Sequence, residues 1–406
     1  MTDSILLRSL LLGLLCLPAC GRPSLDGPAE LAGGPTMSQM SFASGYESSG
    51  DPKIIDFGYN QTTGQTFVNA IPKGAEGAHE WLALFDGRTY GPPILSDKNT
   101  FIAVRAFGIA RFDRKSGDML SELELETDGN RQYGALGSDG TLYLTGLKLW
   151  AINPDDSIRY EAELPQRGWI APALDDAGSL YVPTYVNDIG GEERSELVAL
   201  SVSDGAQRWA TELEGTPSAI ALGEDTAYLS TAGPYRLYAF ALGDGSQRWV
   251  HEGEVLGPVV AKDGTIYGGG VEGLLAIEPD TGATRWTSIG TGPCGSPSIG
   301  GNDHLYVACY DFQTEEGAEP HIIDEAGEVR FPGGSDSRTE IRHLTNNEPA
   351  PLLIDGQTWF VGATADGFST QRYGWSNGPG LSNAPWPTRF GDAAGRSRRG
   401  SVKSSP

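Results

Sequence analysis

An all-β chain, folded as a β-propeller of four-stranded antiparallel blades, is the class that three features of this sequence predict. A segment recurs at a spacing near 40 residues, each copy follows a strand-turn-strand element, and helical periodicity is absent beyond the first 20 residues. The segment superimposes without gaps at 197–209, 237–249 and 274–286. In each copy an alanine (Ala199, Ala239, Ala276) stands ten positions before a tryptophan (Trp209, Trp249, Trp286), and a glycine (Gly205, Gly245, Gly282) stands four before it.

The preceding element begins at Pro93, Gly137, Pro172, Pro217, Pro258, Pro297 and Pro351, which makes seven copies. Val, Ile, Leu and Tyr form its two short strands, and Asp-Gly pairs such as 139–140, 204–205, 244–245 and 263–264 supply tight turns. Weaker copies of the second segment are also present. Residues 151–160 and 322–331 are one position short and place Tyr160 and Phe331 in the aromatic slot, while 111–121 keeps Asp113 and Gly117 but lacks the alanine and the tryptophan. Trp81, with Gly77 four before it, ends a further incomplete copy. Seven blades are expected, and residues 53–81 leave eight open. Trp81, Trp209, Trp249 and Trp286 are read as docking plates between blades, because a four-stranded sheet cannot bury both faces alone and a ring protects its edges. The ring is expected to close non-covalently, with the N-terminal segment ending at Trp81 (or else the Trp386 tail) pairing along the last blade.

The Gly-His and Trp-Asp signature of WD40 repeats is missing. The alanine, glycine and tryptophan spacing resembles the pyrroloquinoline-quinone (PQQ)-like repeat family. The tail Ala384-Pro385-Trp386-Pro387-Thr388-Arg389-Phe390-Gly391-Asp392 is similar to the terminal segment of such chains. The resemblance covers roughly residues 80–396 and specifies the fold more than any activity. It implies two kinds of role. Lipoproteins of this length and repeat type serve as protein-binding subunits of outer-membrane protein assembly, whereas quinoprotein dehydrogenases hold PQQ and Ca²⁺ against a disulfide between adjacent cysteines. This chain has no adjacent cysteine pair, so no PQQ and no enzyme activity are expected. The leading reading is a protein-binding or scaffold module with an envelope protein partner. The alternative is a small-molecule or quinone-binding protein.

Residues 1–19 read as a signal peptide, with an apolar run 10–17 too short to span a bilayer. Leu17-Pro18-Ala19-Cys20 resembles a bacterial lipobox, in which the Cys20 thiol takes a diacylglyceryl group after cleavage at the small Ala19. The alternative is an ordinary secretory signal with an incidental cysteine. Gly21, in place of Asp, favours the outer membrane by the same resemblance, with the body facing the periplasm. Residues 20–50 read as the lipidated cysteine and a flexible tether, 51–396 as the propeller, and 397–406 as a disordered tail.

The formal charge of −24 argues against a nucleic-acid partner, since phosphate binding needs basic patches. No catalytic constellation is present. The five histidines, His79, His251, His304, His321 and His343, are scattered without metal-pair spacing, and the Asp-Gly pairs lack the alternating carboxylates of a calcium loop. Gly268-Gly269-Gly270 has no following helix and is not a phosphate cradle. Three inserts, 184–196, 311–320 and 331–349, mark a candidate working face.

With Cys16 in the signal peptide and Cys20 lipidated, Cys294 and Cys309 remain. They are equidistant from the turn Gly300-Gly301-Asn302-Asp303, which places them opposite each other on a hairpin and suits a disulfide. Two buried free thiols are the alternative. The anchor has a direct test. Replacing Cys20 by Ser releases the protein from membranes with the propeller still folded, and a Cys20→Ser protein that floats with membranes in a density gradient contradicts the lipobox.

Overall fold

The computed structural model describes residues 43–46, 53–60, 63–72, 80–91, 93–96, 100–129, 131–186, 193–288, 292–310, 318–331, 352–354, 357–364 and 367–373. Cys20, the Trp386 tail, His79 and His343 lie outside them. The strands form a β-propeller of seven four-stranded sheets and one three-stranded sheet, each an antiparallel meander. We number these as blades 1 to 8, over 43–86, 94–124, 133–163, 173–213, 216–252, 256–287, 298–331 and 352–373. The innermost strands of blades 1 to 6 lie side by side in chain order, from Ala43–Tyr46 beside Ile94–Leu95 onward, and Leu352–Ile354 of blade 8 lies beside Ala43–Tyr46.

Two expectations change here. Residues 53–81 do not complete the last blade: Lys53–Asn60, Gln65–Pro72 and Trp81–Asp86 pair consecutively, with Ala43–Tyr46 on the inside, as blade 1. Strands adjacent in sequence pair at small entropic cost, whereas pairing with the other end of the chain spans some 300 residues. The sheet also starts at Ala43, inside the segment 20–50 read as a tether. Its first strand, Ala-Ser-Gly-Tyr, has no apolar alternation and is specified by its pairing, Ala43↔Phe57 through Tyr46↔Ile54.

The two middle strands of a blade are sandwiched by its neighbours and buried on both faces, so they read as near-continuous apolar runs. Leu142–Thr145 and Leu229 with its neighbours in Thr226–Ala232 are examples. The outer strands alternate instead, as in Met119–Glu124 and Ile158–Glu163. Each hydrophobic cluster therefore spans adjacent blades. Phe57 and Val68 of blade 1 pack with Phe101 and Phe112 of blade 2, and Tyr267 of blade 6 packs with Ile299 and Val307 of blade 7.

The alanine and tryptophan of the repeat are cross-strand partners: Ala199↔Trp209, Ala239↔Trp249 and Ala276↔Trp286, each followed by a bulge in the outer strand. Ala151↔Tyr160 and Ile322↔Phe331 keep this pairing with the shorter spacing. The tryptophan then reaches the next blade. Trp209 Nε1 donates to Leu242 O at 3.0 Å, Trp249 Nε1 to Pro279 O at 2.7 Å, Trp286 Nε1 to Glu325 O at 2.9 Å and Trp81 Nε1 to Arg114 O at 3.0 Å. Tyr160 does the same through its hydroxyl, which donates to Val202 O at 2.9 Å.

Beneath each ring lies the glycine of that next blade. Gly245 has φ +73°, and a Cβ there would sit 2.4 Å from Trp209 Cε3; Gly282 and Gly117 stand in the same relation, at 2.5 Å, to Trp249 and Trp81. Blade 2 breaks the pattern and so does its neighbour. Its alanine and tryptophan slots hold Arg111 and Ser121, and the glycine slot of blade 3 holds Asp156, at φ +65°. Arg111 forms an ion pair with Asp156 while Ser121 donates to the same carboxylate, so an ionic contact stands where the ring would lie.

Cys294 and Cys309 form a bridge pair across the edge of blade 7 and are joined by a disulfide, with Cα atoms 4.0 Å apart. The docking geometry separates two glycine substitutions. Gly264 also has positive φ, but its nearest neighbour to an added Cβ is Pro279 Cγ at 3.5 Å, so Gly264→Ala carries backbone strain alone, about 1–2 kcal/mol. Gly245→Ala adds the clash with Trp209, a further ~1–3 kcal/mol. Urea unfolding of the two variants measures the gap, and equal losses contradict the docking role.

Candidate interaction face

Because every blade is a meander, its turns alternate between two faces of the ring. The turns joining first to second and third to fourth strands share one face. Those joining second to third strands, with the connections between blades, share the other.

The first face is built from carboxylates already engaged. Asp139 accepts from Thr141 N at 3.0 Å and Oγ1 at 2.9 Å, Asp263 accepts from Thr265 N and Oγ1 at 2.9 and 2.7 Å, and Asp244 accepts from Ser246 N and Oγ at 2.9 and 2.7 Å. An arginine adds a second clamp. The bulged residue before the aromatic slot is Arg159, Arg208, Arg248, Arg285 or Arg330 in blades 3 to 7. Arg248 reaches back to the carboxylate of Asp225 at 2.9 and 2.7 Å, Arg159 to Asp139 at 3.1 Å, and Arg208 to Ser179 Oγ at 2.7 Å and Gly178 O at 3.1 Å. These three tie the outer strand to the turn between the first and second strands, whereas Arg330 holds Asp324 in the turn between third and fourth. The sequence carried this signal as an arginine before Tyr160, Trp209, Trp249, Trp286 and Phe331, but its purpose shows only once the bulge turns the side chain back.

Among the described residues no group of three or more metal-ligating side chains converges. His251 Nδ1 lies 2.8 Å from Gly282 O, within a blade interface, and Gly268-Gly269-Gly270 belongs to the second strand of blade 6, where a Cβ on Gly269 would strike the Cys294 and Gly295 carbonyls at 2.2 and 2.1 Å. The two described cysteines are bonded to each other across 15 positions, which does not fit the adjacent-cysteine cradle of a quinoprotein.

The second face differs. Each of the four blades whose turn between second and third strands is fully described puts one large apolar side chain at its tip: Phe107 in blade 2, Leu147 in blade 3, Tyr235 in blade 5 and Val271 in blade 6, all exposed. In three of them a cation stands within two residues of the tip and is paired with outer-strand glutamates. Arg105 pairs with Glu122, Lys148 lies 3.4 Å from both Glu161 and Glu163, and Arg236 lies 3.0 Å from Glu252. Burial pushes the Arg105 guanidinium down against the pull of Glu124 and Asp86, while Tyr238, Glu252 and Glu214 hold that of Arg236 well above its ordinary value. Between blades, Arg167 pairs with Asp128, and Trp169 meets Tyr185 edge-on with ring centroids 4.7 Å apart.

The three sequence inserts fall, in chain order, at connections of the kind that make this face. The first is shorter than the sequence suggested, since its ends pair as strand, Thr184↔Glu196 to Val186↔Arg194, and residues 187–192 lie outside the described part. Residues 311–317 and 332–349 lie outside it as well. The apolar tips had no periodic signature, being single residues in turns.

The class defined by this fold is a repeat propeller whose blades dock by aromatic plates and whose second face is studded with apolar tips. Residues 105–299, from blade 2 into blade 7, match the model of the family described as outer membrane protein assembly factor BamB, and the chain carries PQQ-like repeats distantly similar to that protein. Solved structures share the fold at low identity. BamB from Moraxella catarrhalis is 15% identical, over 81% of this chain and 97% of that one, with a TM-score of 0.54. The computationally designed Ika8 protein is 12% identical over 83% and 97%, at 0.58, and Saccharomyces cerevisiae Sqt1 is 12% identical over 82% and 95%, at 0.52. None of the curated protein sequences matches the chain.

The arginine clamps make stability depend on acid pH. Hydrogen bonds from Arg248 hold the Asp225 carboxyl below its ordinary 3.8 despite some burial; for Asp263 burial works upward, but Thr265 and Arg285 bring the balance below it. A carboxyl depressed in the fold contributes stability above its unfolded pKa, and that contribution fades as pH falls through the folded value. Melting temperature should drop as pH falls from about 5 to about 3, and less steeply in Arg248→Ala. Superimposable pH profiles contradict the clamp.

Proposed function

We propose that this chain is a non-catalytic, protein-binding propeller of the bacterial cell envelope, anchored to the outer membrane through lipidated Cys20 and serving outer-membrane protein assembly from the periplasmic side. The observation that carries the binding role is the recurrence of one exposed apolar side chain, Phe107, Leu147, Tyr235 or Val271, at equivalent turns of one face. Repetition at equivalent turns gathers these apolar side chains on one face, and exposed apolar groups with nearby charges suit a protein-protein contact. The match of 105–299 to the BamB family model supports the assembly role, and Leu17-Pro18-Ala19-Cys20 supports the anchor. The reading includes no quinone. The turn carboxylates are engaged by neighbouring Thr, Ser and Arg groups, and Cys294 is bonded to Cys309.

Two measurements test this. Affinity purification of the native lipoprotein from solubilised envelopes recovers other subunits of the assembly machinery, and Phe107→Asp with Leu147→Asp lowers that recovery about tenfold without changing the melting temperature. Undiminished recovery removes the face from the account. Incubation with PQQ and Ca²⁺ leaves no retained chromophore, and saturable binding at one per chain favours the quinone-binding alternative.

A further inference from the structure

Blade 1 differs from its neighbours along its outer edge. Three positions after the aromatic slot, blades 2 to 5 carry Glu124, Glu163, Glu212 and Glu252, and blades 2 and 3 carry Glu122 and Glu161 one position after it. Charges on an outer strand keep other strands from adding to it. Blade 1 has Leu82 and Leu84 at these two positions, and both side chains are exposed, at 50% and 61%.

The backbone is available on the same side. Trp81–Asp86 pairs with Gln65–Pro72 in the register Phe67↔Leu84 and Asn69↔Leu82, and Gly87 N donates to Gly64 O. Since antiparallel partners alternate between bonded and non-bonded pairs, Trp81, Ala83 and Phe85 turn their N–H and C=O groups toward the inner strand. Leu82, Leu84 and Asp86 turn theirs outward. The Asp86 carbonyl accepts from Arg105 Nη2 of blade 2 at 3.0 Å, which closes that end of the edge. Among the described residues no strand pairs along the rest.

We infer that the outer strand of blade 1 is a strand-addition site, which takes an extended segment of a partner protein, apolar at alternate positions and basic at its flanks. Main-chain bonds to Leu82 and Leu84 fix the segment, and its apolar side chains cover the two leucines. The basic flanks follow from charge: Glu80 and Asp86 bound the two leucines along the strand, on a chain of net charge −24, while Arg105 at the blade 2 end is already paired with Glu122. The same charge opposes a second copy of this chain as the occupant. The site is separate from the apolar tips, so either can fail without the other.

The test uses the full-length purified protein and a synthetic peptide of about nine residues that alternates Val and Thr between terminal lysines. Hydrogen exchange of the free protein is expected to show unprotected Leu82 and Leu84 amides, which become protected when the peptide is added. Fluorescence anisotropy is expected to show saturable binding that weakens about tenfold in Leu82→Glu/Leu84→Glu, a change to the pattern of blade 2, and stays unchanged in Met119→Glu/Leu120→Glu. Amides already protected in the free protein would overturn the proposal, because the chain then covers its own edge. So would concentration-dependent dimerisation abolished by the double substitution, or peptide binding without protection of those amides.

Discussion

An aromatic plate lying on a turn that has no side chain is the contact on which this ring depends. A four-stranded sheet of about 40 residues exposes two apolar faces and is not stable alone, so each blade is folded only as part of a stack. The stack needs a joint that repeats, tolerates drift in the rest of the sequence and sets the angle between neighbours. Trp209, Trp249 and Trp286 provide it in the same way, each with its indole nitrogen on a carbonyl of the next blade and its ring over a glycine at positive φ. The glycine meets two demands together. Its left-handed backbone closes the turn between third and fourth strands, and its missing Cβ leaves the space the ring fills.

The junction of blades 2 and 3 shows that these demands separate. Positive φ is kept there, by Asp156, while the ring is gone, replaced by Ser121. With no plate above it, the turn tolerates a side chain, and the side chain is used: its carboxylate takes Arg111, the residue in the alanine slot, and Ser121. Three slots on two blades changed together, as expected if they form one joint.

Much of this was legible in the sequence because it is periodic. The spacing of Ala199 and Trp209 is a cross-strand register written along the chain, and the shorter spacing of Ala151 and Tyr160 is the same register with a tighter turn. What escaped has physical reasons. Ala43–Tyr46 has no pattern of its own and is a strand only because Ile54 to Phe57 pairs with it, so the N-terminal segment was assigned to the wrong blade. The arginine before each aromatic residue was visible, yet its role depends on a bulge that, in blades 3 to 5, turns it toward a turn 20 or more residues upstream. Phe107, Leu147, Tyr235 and Val271 were hidden among ordinary turn residues, and only the alternation of faces in a meander gathers them. The scaffold repeats and announces itself, while the binding features sit where the repeat is free to vary.

The joint between blades 2 and 3 offers the most direct measurement. In an Arg111→Ala background, Ser121→Trp and Asp156→Gly are made singly and together, and unfolding free energies are compared in a double-mutant cycle. If a plate over a Cβ-free turn is the joint, Ser121→Trp alone is destabilising because the Asp156 side chain occupies its place, and Asp156→Gly restores the loss, with a coupling of at least about 1 kcal/mol in favour of the pair. Additive effects, with the tryptophan equally tolerated over aspartate and glycine, would contradict the account.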